Sequence, residues 1–97
     1  MRQLEDTTAV LKISIITDSD QVIAYHLEGR LVGPWVDELR RIGDEALAQQ
    51  KTLTLDLEGV RFADHHGIAL LQEMSQRQVP QLNCSQFLVQ QMKELTR

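Results

Sequence analysis

Leu53-Thr54-Leu55-Asp56-Leu57-Glu58-Gly59-Val60-Arg61-Phe62-Ala63-Asp64-His65-His66-Gly67-Ile68-Ala69-Leu70-Leu71 reads as a strand, a tight turn and a helix start in succession. Leu53, Leu55 and Leu57 alternate with Thr54, Asp56 and Glu58, the period of a strand buried on one face only. Gly59 marks the expected end of that run. From Ile68 onward, Ile68, Leu71 and Met74 recur at three-residue spacing with Leu70 beside them, while Gln72, Glu73, Gln76 and Arg77 lie mostly off that face, which predicts an amphipathic helix. Asp64 is the natural N-cap, because its carboxylate can accept hydrogen bonds from first-turn amides that have no partner within the helix. His65 and His66 then fall in the first turn, beside the positive end of the helix dipole.

Upstream, Leu11, Ile13 and Ile15 alternate with Lys12 and Ser14 to make a first strand, closed by the turn residues Asp18-Ser19-Asp20. A second strand over 22–31 places Ile23, Tyr25, Leu27 and Leu31 on one face and His26, Glu28 and Arg30 largely on the other, so the two strands form a hairpin. Gly33-Pro34-Trp35 signals a helix start, since proline at the first helical position loses no hydrogen bond and presets the backbone angle. The expected apolar stripe of this helix is Trp35, Leu39, Ile42 and Ala46, with Leu47 beside it and Asp37, Glu38, Arg40, Arg41, Asp44 and Glu45 facing water. Downstream, residues 79–84 predict a short fourth strand. Pro80 confines it to a sheet edge or a strand start, because proline has no amide to give to a ladder. Ser85 is placed to cap a last helix in which Leu88, Met92 and Leu95 share a face.

The expected architecture is α/β: a mixed sheet of four to five strands, each with one wet face, and helices packed mainly on one side. With 97 residues there is one core and no second domain, and residues 1–8 read as a polar tail ahead of a domain over 9–97. A net charge of -4 with scattered basic residues speaks against a nucleic-acid surface. No apolar run approaches the roughly 18 residues of a membrane span, and the N-terminal residues lack the apolar core of a signal peptide. A cytoplasmic location without membrane insertion is the expectation. The single cysteine, Cys84, excludes an internal disulfide and fits a reducing compartment; it reads as a small core residue rather than a nucleophile.

The order of elements, the Gly29-Arg30-Leu31 close of the second strand, the run Leu53-Thr54-Leu55-Asp56-Leu57, and Phe62-Ala63-Asp64 followed by Gly67-Ile68 resemble the STAS domain of sulfate transporters and anti-sigma factor antagonists. The resemblance covers about residues 10–95 and is strongest over 53–71. It implies a bacterial protein without catalytic activity or cofactor, which works by docking onto a protein partner in transcription regulation. In the antagonist branch that partner is an anti-sigma factor that is also a serine kinase, and phosphorylation of the antagonist releases it. Lone STAS proteins also resemble cytoplasmic accessory subunits of lipid-transport ABC systems, so a transporter subunit is the alternative partner. A monomer or weak dimer is compatible with either.

The resemblance places the phosphoacceptor serine of the antagonist branch immediately before the glycine that opens the second helix, usually preceded by Asp-Ser. Asp64 and Gly67 match that pattern. His65 stands in the place of the first serine and His66 in that of the acceptor, so the hydroxyl that a serine kinase needs is missing. A neutral imidazole does not imitate phosphate, whose charge near neutral pH is about -1.5 to -2. The expected docking surface is the turn Asp64, His65, His66, Gly67 and Ile68 with the neighbouring loop Gly29, Arg30 and Gly33. Asp64 caps and orients, Gly67 allows close backbone approach, and the histidines set shape and polarity.

Sharper chemistry at the double histidine is less well supported. Neighbours in a first turn point apart, whereas chelation on a helix uses spacings of three or four, so no metal is assigned there. A phosphohistidine would be welcomed by the helix N-terminus, but phosphorelay features are missing; a metal- or phosphohistidine-based sensor stays as an alternative of another class. Asp64 and His65 lack a nucleophile at the same turn, so no catalytic residue is assigned. Asp56 and His26 read as ordinary wet-face residues, Trp35 as a core or groove residue, and Arg30 and Arg61 as solvated or paired with Glu28 and Glu58.

Overall fold

The computed structural model describes residues 10–95. The tail expected over 1–8 lies outside the described residues. β1 (Leu11–Asp18) and β2 (Val22–Leu31) form the expected hairpin; α1 (Pro34–Ala48), β3 (Thr52–Ala63), α2 (His65–Gln76), β4 (Gln81–Leu82) and α3 (Gln86–Leu95) follow. The sheet has four strands in the order β1-β2-β3-β4. β1 and β2 are antiparallel, whereas β2-β3 and β3-β4 are parallel, so the sheet is mixed.

The register puts like with like on each face. Ile23 pairs with Leu53 and Tyr25 with Leu55 on the helix-covered side, while Ala24 pairs with Thr54 and His26 with Asp56 on the open side. Leu27, Leu31, Leu55 and Leu57 are fully buried, and with Leu39, Leu70, Leu71, Met74 and Leu88 from the helices they make one core. Full burial of each such side chain contributes about 1.5–3 kcal/mol. Ion pairs bridge the helices over this core: Arg40 Nη1 lies 2.7 Å from Glu73 Oε2, and Arg77 Nη1 lies 2.7 Å from Asp44 Oδ1.

Three local expectations change. Gly59 does not end the third strand, which continues through Val60 to Ala63. Gly59 lies opposite Glu28 where the β2-β3 register shifts, and a Cβ there would come within 2.7 Å of Glu28 Cγ. The glycine therefore lets the strand pass an irregularity rather than stop. The buried face of α1 is Val36, Leu39, Gly43 and Ala46, with Trp35 and Ile42 half-buried at its flank. The fourth strand shrinks to two residues at the sheet edge, where the Pro80 carbonyl accepts from the Leu55 amide at 3.0 Å. Ser85 Oγ accepts from the Leu88 amide at 3.1 Å, the expected cap of α3. Leu88 is buried and Met92 packs against the core; the side chain of Leu95 lies outside the described residues.

Candidate functional site: the turn between β3 and α2

β2 and β3 run side by side and in the same direction, with Leu31 paired to Ala63 at their shared end. The loop leaving β2 and the turn leaving β3 are consequently neighbours, although Gly33 and Asp64 are far apart in sequence. Asp64 joins them. Its Oδ1 accepts from the Gly67 amide at 2.8 Å, capping α2, and its Oδ2 accepts from the Gly33 amide at 3.2 Å. The Asp64 amide itself donates to the Leu31 carbonyl at 3.2 Å.

Burial pushes the Asp64 carboxyl upward, but donation from Gly67 and Gly33, the nearby His66 imidazole and the His66 amide outweigh it and hold the group below the usual aspartate value. Gly67 has no room for a side chain: a Cβ would run into the Leu31 carbonyl oxygen and stand 3.2 Å from Ala63 Cβ. The glycine is what lets α2 start directly against β2. Ile68 is buried beneath the turn, whereas His65 and His66 are exposed at its surface.

The other residues of the expected surface separate into two groups. Gly33, at φ 57°, is the loop residue that contacts Asp64 and precedes Pro34 at the first position of α1. Gly29 and Arg30 are strand residues. Gly29, at φ 112°, lies against the Val10 carbonyl and serves the β1-β2 pairing. The Arg30 guanidinium stacks 5.3 Å from the centroid of the Phe62 ring on the neighbouring strand.

Two features of this end were not legible in sequence. His65 and Ile68 line a groove of about 250 Å³ whose far wall is Gln91 and Glu94 of α3. Gln91 Nε2 donates to the Ala63 carbonyl at 3.4 Å, and its Oε1 is buried without a hydrogen-bond partner among the described residues. On the opposite flank, Ile13, Ile15, Tyr25 and Trp35 line a more apolar groove of about 590 Å³ between β1 and α1. Ile15 was the available signal: it keeps the inward register of its strand, yet it is 59 % exposed because no helix covers it. Cys84 is half-buried against the core, and burial pushes its thiol up from the ordinary value.

Among solved structures, the chain superimposes on the anti-sigma factor antagonist SpoIIAA in its unphosphorylated form with a TM-score of 0.68. The match covers 84% of this chain and 82% of that one, at 18% sequence identity. The chain has the STAS fold. Comparison with protein-family models and with curated proteins gives no match. The turn between β3 and α2 carries His65-His66. Among the described residues, no helix is long and apolar enough to cross a membrane.

Proposed function

We propose that this chain is a non-enzymatic protein-interaction module that docks through the turn Asp64, His65, His66, Gly67 and Ile68, with Gly33 alongside. The observation that carries the reading is the double acceptance by Asp64, which locks the loop after β2 to the start of α2 and presents two imidazoles where a switch serine is expected. The likeness to an anti-sigma factor antagonist supports a partner of the anti-sigma factor class, in the bacterial cytoplasm. Without a hydroxyl at 65 or 66, the turn stays in the partner-competent form in the presence of a serine kinase.

The test is co-purification of wild type, His66→Ser and His66→Asp with a candidate anti-sigma factor, followed by incubation with its kinase and ATP. Binding by wild type and the serine form but not by the aspartate form identifies the turn as the docking surface. Equal binding by all three removes it from the interface, and stoichiometric phosphorylation of wild type at serine or threonine near the turn overturns the absence of the kinase switch.

A further inference from the structure

On the open face of the sheet, away from the turn, His26 of β2 pairs directly with Asp56 of β3, and Glu58 follows two residues later on the same face. One ligand atom from each of the three side chains lies within 4.8 Å of the others. We propose that His26, Asp56 and Glu58 bind a divalent transition-metal ion, with Zn²⁺ the best match to one imidazole and two carboxylates.

The imidazole is what separates this group from an ordinary acidic patch. Its Nδ1 lies 3.4 Å from Glu28 Oε2, leaving Nε2 turned toward Glu58 Oε1 at 3.9 Å. The second distance is long for a hydrogen bond. Two donors that share one tetrahedral ion at about 2.0–2.2 Å each stand about 3.3–3.6 Å apart, so Glu58 moves inward by a few tenths of an ångström to bind with His26. Glu28 then plays the part of the outer carboxylate that orients a metal-bound histidine through its other nitrogen.

Asp56 is also held in place: its Oδ1 accepts from the Glu58 amide and from Asn83 Nδ2, each at 3.0 Å. Asp56 is therefore positioned by the fold before an ion arrives. Glu58 closes the site by side-chain rotation, for which its 72% exposure leaves room. Three protein donors leave a fourth position for water. The two strands so joined are those that deliver Gly33 and Asp64 to the turn.

Isothermal titration of the full chain with ZnCl₂ at pH 7.5, in a buffer that does not chelate, tests the site. One ion per chain is expected, with a matching rise in melting temperature. His26→Ala and Glu58→Gln should each weaken binding more than about tenfold, and Glu28→Gln about 10- to 100-fold. Glu58→Gln changes an exposed side chain, so it remains informative should His26→Ala fold poorly. A double His65→Ala/His66→Ala variant should bind as wild type does. The proposal is overturned by the absence of binding, by binding that survives both His26→Ala and Glu58→Gln, or by binding that disappears with His65 and His66.

Discussion

The Asp64 carboxylate spans two segments of chain: its Oδ2 reaches the Gly33 amide at 3.2 Å while its other oxygen caps α2. An N-cap commonly satisfies its own helix; this one also anchors the loop that begins α1.

Removing that carboxylate exposes both roles. Asp64→Ala should lower stability by about 0.5–2 kcal/mol, the usual range for loss of an N-cap, as read from urea unfolding. The Gly33 amide adds little because the loop is exposed and water replaces the lost acceptor. Asp64→Asn keeps an acceptor oxygen and should cost less. Equal stability of Asp64→Ala and wild type would show that the cap is energetically idle.

Gly33 and Gly67 sit at the same turn for different reasons, and alanine separates them. At Gly33 a Cβ meets nothing within 4 Å, but φ 57° with ψ -134° is backbone that essentially only glycine adopts, so Gly33→Ala should cost about 1–3 kcal/mol through backbone strain alone. Gly33→Asn should recover little of it, since asparagine tolerates the left-handed helical region, where ψ is positive, and not this one. At Gly67 the added Cβ meets the Leu31 carbonyl, and Gly67→Ala should cost about 1–3 kcal/mol through overpacking. That is the reverse of the gain alanine gives inside a free helix.

The core makes a plain contrast with the surface. Leu70 is completely buried, and Leu70→Ala should cost about 2–5 kcal/mol. Phe87 is 53% exposed, and Phe87→Ala should change stability by no more than about 0.5 kcal/mol. Thermal melts of the two variants check both values.

Acid should reach the turn late. A carboxyl held below its ordinary value in the folded state contributes stability that is fully present above the unfolded pKa and is lost as pH falls through the folded one. Asp64 is such a group, with burial opposed and outweighed by the Gly67 and Gly33 amides and His66, against an ordinary value of 3.8. Asp56 is another, lowered by Asn83 and the Glu58 amide. Stability should therefore be insensitive to these two groups near neutrality and decline as pH falls below about 3.8. Asp64→Asn should flatten that decline in pH-dependent unfolding.

Much of the fold was legible because burial follows period. Leu27, Leu53, Leu55 and Leu57 alternate with polar neighbours, and all of them are buried. The caps Asp64 and Ser85 were equally readable, since the chemistry of a cap acts over three residues and depends on nothing distant. The stripe of α1 was less so. Trp35 outweighed Val36 by size, and Gly43 carries no hydrophobic signal, although α1 buries it next to Met74. Gly59 misled because a glycine that ends a strand and one that lets it pass a bulge look alike in sequence.

The sequence by itself determined the order of the elements, the wet and dry faces of the central strands, and the local shape of the turn at Asp64 and Gly67, because these rest on contacts among residues a few positions apart. Only the tertiary structure decided that Asp64 also holds Gly33, that Gln91 and Glu94 wall the groove at His65, and that His26 meets Asp56 and Glu58. Those contacts come from strand order and register, which join parts of the chain that no local period connects.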